Sequence, residues 1–309
     1  MLRTIGFASL MSVITLSPFA ATSASAEALK VVASFSIIGD FAQNVGGDRI
    51  ELTTLVGPDG DAHVYEPSPA DAVKMSKADV VLVNGLQFEG FLQRLVEASA
   101  TKAAVVELTK GVEPIKMKEE HEHAAGGDHH HHGDLDPHAF QSIANAKIYV
   151  KNIADAFCTA DAAGCDSYKA NASAYTAKLD ATEAEVKAAV ASIPREKRTI
   201  ITSHDAFGYL EAAYGVTVLA PEGISTEAEA SAADVAALIS QVRGDKASAI
   251  FVENITNPRL IEQISAETGV KVGGTLYSDA LSKADGPAAT YIDMMKANIA
   301  TIKGAILGS

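Results

Sequence analysis

The sequence predicts an α/β protein: two βα lobes with parallel sheets, joined by one long rigid helix. Three observations predict it. Short runs rich in Val and Ile alternate with helical segments of about ten residues, the pattern of a parallel sheet covered on both faces. That alternation occurs twice, once before residue 110 and again after residue 198. Between the two, Asp166 to Ile193 carries Tyr168, Tyr175, Leu179, Val186, Val190 and Ile193 on one helical stripe, with charged residues elsewhere. A helix of that length would span about 40 Å and hold two lobes apart.

The chain opens with Met-Leu-Arg, an apolar run from Ile5 to Ala21 and the small residues Ser23-Ala-Ser-Ala26. This reads as a secretory signal peptide, residues 1–26, cleaved after Ala26. No cysteine lies near the cleavage point, so nothing there indicates a lipid anchor. No later stretch approaches the roughly 18 apolar residues of a spanning helix. The mature chain is expected to be exported.

The first lobe, residues 27–165, starts with a strand at Leu29–Ser36 and a helix at Ile37–Val45, stopped by Gly46-Gly47. A strand at Ile50–Val56 leads into the loop Asp61-Ala-His63-Val-Tyr-Glu66-Pro. Pro69–Ala78 reads as a helix, Asp79–Asn84 as a strand, Glu89–Ser99 as a helix and Ala103–Leu108 as a strand. From Lys116 to Asp134 periodicity stops. This stretch holds His121, His123, His129, His130, His131 and His132 among five acids and three glycines, too little apolar surface to order itself. It is expected to be a loop that captures metal weakly through exchangeable imidazoles. Deleting it should spare the first equivalent of bound metal and remove only weaker ones, and a metal titration of the deletion variant checks this.

Phe140–Phe157 is a further helix. Cys158 and Cys165 follow, six residues between them, and in an oxidising compartment they are expected to form a disulfide. The linker helix, residues 166–194, ends at Pro194. The second lobe, residues 195–309, has strands at Thr199–Thr202, Val216–Leu219, Ala249–Val252 and Val270–Leu276. Its helices are Ala206–Ala213, Ala232–Val242, Pro258–Thr268 and Pro287–Ile306. The grammar of the first lobe returns without a convincing sequence repeat. A net charge of −14 argues against nucleic acid, whose phosphates need Lys and Arg.

Three side chains stand where such a fold binds ligands, beyond the carboxyl ends of strands, and a fourth, His138, opens a helix after a Pro. His63 follows the second strand, His138 sits in Asp136-Pro-His138, His204 follows Arg198–Ser203, and Asp279 follows Val270–Ser278. Two lie before the long helix and two after it, which places a metal site between the lobes. Three imidazoles and a carboxylate make a borderline-soft N3O set that suits Zn2+ over the oxygen-seeking Mg2+ or Ca2+. Four protein ligands close a tetrahedron and leave no position for a substrate, so a binding protein is expected rather than an enzyme. Glu66 is a candidate outer partner of His63. Read locally, Asp279 would serve equally as the N-cap of the closing helix. Metal affinity is expected to fall below about pH 6, because protonated imidazole cannot ligate.

Asp-Ala-His63-Val-Tyr-Glu-Pro-Ser-Pro, Leu-Asp-Pro-His138, Ser-His204-Asp-Ala-Phe-Gly-Tyr-Leu and Thr-Leu-Tyr-Ser-Asp279-Ala-Leu resemble the solute-binding components of bacterial zinc ABC transporters. The resemblance runs from about Leu29 to the C-terminus. It is similar to the zinc branch in its His- and acid-rich loop and in His204, where manganese and iron relatives commonly have glutamate. Phe140 stands where many relatives have tryptophan. The resemblance implies a periplasmic, monomeric carrier that takes Zn2+ as cargo and delivers it to a membrane permease. A periplasmic metal-loading protein is a further candidate partner. The alternatives are a manganese or iron carrier of the same fold and a secreted zinc hydrolase, with Glu66 or Glu253 activating water.

Overall fold

The computed structural model describes residues 27–116, 135–228, 230–245 and 247–308; the signal-peptide reading and the six histidines of the acidic stretch fall outside them. The first sheet is built from β1 (Leu29–Phe35), β2 (Ile50–Val56), β3 (Val80–Val83) and β4 (Ala104–Glu107), all parallel, in the order β2-β1-β3-β4. The second, from β5 (Thr199–Ile201), β6 (Thr217–Leu219), β7 (Ala249–Glu253) and β8 (Val272–Leu276), is also parallel, in the order β6-β5-β7-β8. In each lobe the first strand lies between the second and the third, and the fourth forms the edge beyond the third. The two lobes share one topology that their sequences do not display.

The central strands read as apolar runs because both of their faces are covered. In β1, six of the seven residues Leu29-Lys-Val-Val-Ala-Ser-Phe35 are buried, while edge strand β4 leaves Val105 exposed. The helices of the first lobe are α1 (Ser36–Gly46), α2 (Pro69–Ser76), α3 (Leu92–Ser99) and α4 (Ile143–Ala160). α1 stops where Gly47 takes φ 56°, a left-handed value that a side chain disfavours. α2 starts with Pro69 at its first position and a reciprocal Ser68–Asp71 capping box. α3 begins at Leu92, later than its pattern predicts, because Gly85, Leu86 and Gln87 all have positive φ and hold the preceding stretch in a turn.

The long helix is α5 (Cys165–Ala191), begun at the Cys158–Cys165 disulfide and ended before Pro194. The apolar stripe is buried as predicted, from Tyr168 through Tyr175, Leu179 and Val186 to Val190. α5 is not a bare spacer. It lies against α1, α4 and α9 (Tyr291–Leu307), and one continuous apolar core runs through both lobes around it. The second lobe's other helices are α6 (Gly208–Tyr214), α7 (Ala232–Asp245) and α8 (Arg259–Thr268), and a smaller core there joins Ile201 and Ile250 to α7 and α8. The seam between lobes is also polar: Asp40 of α1 accepts from the Tyr175 hydroxyl and the Tyr291 backbone N–H, both at 3.1 Å. α9 starts at Tyr291, capped by Thr290, whose hydroxyl accepts from the Asp293 N–H. Asp279 is therefore not its N-cap, and the carboxylate is left for another use.

Candidate metal centre

Each of the three histidines is delivered by a loop whose backbone is fixed by an acid. His63 sits beyond β2, and its N–H donates to Asp61 Oδ1 at 2.9 Å. His138 caps a short 3-10 turn, Ala139–Gln141. Asp136 Oδ1 accepts both the His138 N–H at 2.9 Å and its Nδ1 at 2.8 Å. His204 follows β5. Glu253, the last residue of β7, takes the N–H groups of Ser203 and His204 on Oε1 at 2.7 and 2.9 Å, and sets Oε2 2.6 Å from His204 Nδ1. That buried carboxylate oxygen faces the ring nitrogen and favours the protonated ring. Asp279 follows β8 and is fully buried, with the preceding Ser278 carbonyl accepting from Gln141 Nε2 at 2.5 Å.

With Nδ1 of His138 and His204 facing carboxylates, the Nε2 atoms point to a common centre. Asp279 Oδ2 lies 3.2 Å from His63 Nε2, 3.6 Å from His138 Nε2 and 3.0 Å from His204 Nε2. His63 and His138 Nε2 are 3.3 Å apart, and one donor atom from each of the four lies within 4.8 Å of the others. A tetrahedron with bonds of about 2.0–2.1 Å has edges of roughly 3.3–3.4 Å. Four of the six separations, 3.0 to 3.6 Å, bracket that value, and all four donor atoms lie within 4.8 Å of one another, close enough to converge on one ion. Asp279 Oδ1 is buried without a hydrogen-bond partner, an acceptor that a bound cation would satisfy.

Electrostatics point the same way. Burial alone would raise the Asp279 pKa, but His138 and His204 outweigh it and hold the carboxyl far below its ordinary range. Burial would likewise lower His138. Asp279 and Asp136 overcome it and push the ring up to about 9. His204 is raised well above its ordinary value against the same burial, by Glu253 and Asp279. The raised imidazoles and the lowered carboxyl thus favour one another's charged forms.

The structure thus brings together all four predicted residues. Glu66 is a correction: its side chain is exposed and makes no hydrogen bond or ion pair with His63 among the described residues. The carboxylates that do orient the rings are Asp136 and Glu253. Asp136 is visible in the sequence as the acid two residues before His138, whereas Glu253 needs the β5–β7 pairing to be placed.

Two parallel-sheet lobes around a long helix, with a closed N3O cluster where the strand ends meet, define a metal-binding solute-binding protein. The chain belongs to the ZnuA family, described as the periplasmic zinc-uptake complex component A, which it matches over residues 31–305. Among its relatives is the manganese-binding lipoprotein MntA of Halalkalibacterium halodurans, 35% identical over 91% of this chain and 89% of the relative. The iron-binding protein YfeA of Yersinia pestis is 33% identical over 96% of this chain and 94% of the relative. Similar solved structures include a Mn-bound periplasmic metal-binding protein from Candidatus Liberibacter asiaticus, at 32% identity and TM-score 0.79. The periplasmic zinc-binding protein TroA of Treponema pallidum has 28% identity and TM-score 0.80; both structures cover 90% of this chain and 99% of the other.

Proposed function

We propose that the protein captures Zn2+ in the periplasm on His63, His138, His204 and Asp279 and delivers it to the permease of an ABC transporter. The observation that carries this reading is the donor set itself: three imidazole nitrogens and one carboxylate oxygen, all buried and gathered within 4.8 Å of one another. Residues 27–165 and 195–309 act as the two lobes, and residues 166–194 as the linker between them. Lys116 and Leu135 form an antiparallel bridge, and Leu135 directly precedes Asp136. The His-rich residues between them in sequence act as a weaker, auxiliary capture segment.

A second reading, manganese or iron as cargo, has its own support. The orphaned Asp279 Oδ1 offers a fifth donor, which suits metals that take more than four ligands, and relatives are named for both metals. A hydrolase is disfavoured by the candidate bases: Glu253 is committed to the Ser203 and His204 amides, and Glu66 faces solvent. Among the described residues no helix is long and apolar enough to cross a membrane.

Calorimetric titration of metal-stripped mature protein with Zn2+ and Mn2+ side by side tests the choice. One tight zinc site, weakened by His204→Ala and scarcely filled by manganese, is expected. Equal or tighter manganese binding would favour the second reading.

A further inference from the structure

Two of the three imidazoles are aimed by carboxylates on Nδ1, Asp136 for His138 and Glu253 for His204. His63 is the exception. Among the described residues no carboxylate lies on its Nδ1, and its backbone bond to Asp61 fixes the loop without fixing the ring. A ring free to turn about χ2 would lose its place at the metal.

What faces that ring is Phe88. The two centroids are 4.7 Å apart at an interplanar angle of 65°, an edge-to-face contact. The same phenyl meets the His138 ring at 5.6 Å and 87°. Phe88 is 1% exposed and is backed by Phe35 at 4.8 Å and Phe140 at 5.5 Å, so it cannot yield without disturbing the core. Its loop is firmly pinned. The buried Glu89 carboxylate accepts from the Ser34 hydroxyl and the Asn84 N–H at 2.6 Å each. Leu86 and Gln87 are held at φ 51° and 63°, a conformation that non-glycine residues keep only when their surroundings impose it. Asn84 Nδ2 also donates to the carbonyl of Pro137, the residue before His138, at 2.9 Å. One rigid turn thus sets the packing of His63 and the backbone approach of His138.

We propose that Phe88 is the positioning residue for His63: it does by aromatic packing what Asp136 and Glu253 do by charge, and so fixes the His63–His138 separation and the size of ion the centre prefers. The inference rests on the four-residue metal site described above.

The test compares Phe88→Leu with Phe91→Leu. Phe91 is equally buried and packs on Tyr65, with no ring contact to the ligand histidines among the described residues, so it reports the cost of losing a phenyl from this region. Zn2+ and Mn2+ affinities are measured by chelator competition, and the visible spectrum of the Co2+-loaded protein reports coordination geometry. Phe88→Leu should lose about tenfold or more in zinc affinity, the effect of removing a group that orients a ligand. It should narrow the zinc-to-manganese ratio and alter the cobalt spectrum, while Phe91→Leu changes neither. A parent-like cobalt spectrum and affinity ratio in Phe88→Leu, or identical changes in both variants, would overturn the proposal. If Phe88→Leu does not fold, Phe88→Met is judged by the same criteria. His63→Ala is measured in parallel. Parent-like metal binding there would overturn the ligand assignment itself, and the role of Phe88 with it.

Discussion

Replacing Asp279 with alanine is expected to weaken zinc binding by about a thousandfold, the equivalent of roughly 4 kcal/mol. The expectation follows from what that carboxylate touches. Its Oδ2 is within 3.6 Å of all three imidazole Nε2 atoms, it is fully buried, and it supplies the one negative charge among the four ligands. Removing it leaves three neutral donors to hold a dication in a site shielded from water. Asp279→Asn should fail almost as badly, because it keeps the shape and loses the charge. A structural cap would behave differently, since an asparagine caps a helix as well as an aspartate does. Competition against a chromophoric chelator measures both variants. Affinity within threefold of the parent in either would remove Asp279 from the metal site.

The second large effect is on pH. A sequence reading sets the loss of affinity below about pH 6, from the ordinary behaviour of histidine. The buried pairing of His138 with Asp279 and Asp136 moves that threshold up, to about 9 in the metal-free protein. Zinc is therefore expected to displace at least one proton at neutral pH. Apparent affinity should climb with pH above 7, by about tenfold per pH unit for each proton released. Calorimetry in two buffers of different ionisation enthalpy counts the protons. Stability runs the other way. A histidine whose folded pKa exceeds its unfolded value contributes stability that is fully present below about pH 6.5. That contribution is lost as pH rises through about 9. The melting temperature of metal-free protein should fall across that window, while the zinc-loaded protein, with metal in place of the protons, should hold. A metal-free melting temperature that rose from pH 6.5 to 9 would contradict the charge pairing described here.

Much of this is legible in the residues. Val/Ile runs announce buried parallel strands because both faces of such strands are covered, and β2 begins and ends where its pattern says. The stripe from Tyr168 to Val190 announces α5 because only one face of it meets the core. His63, His138, His204 and Asp279 are readable as candidate ligands because each follows a strand or a Pro turn, and the structure gathers them into one cluster. What is not legible depends on pairing across the fold. The role of Glu253 appears only when β7 lies beside β5, and that of Phe88 only when the turn after β3 reaches the loop after β2. Glu66 misleads because proximity in sequence is not proximity in space: the loop from His63 to Ser68 turns its side chain to solvent. The identical strand order of the two lobes is hidden for a similar reason, since topology constrains connections rather than residue identities.

The measurement that meets the central claim most directly is zinc-edge X-ray absorption on the mature protein loaded with one equivalent. Three imidazoles and one carboxylate at about 2.0–2.2 Å are predicted, and one imidazole should disappear from the spectrum of His63→Ala. Fewer than three imidazoles in the parent, or a spectrum unchanged by that substitution, would place the ion somewhere other than between His63, His138, His204 and Asp279.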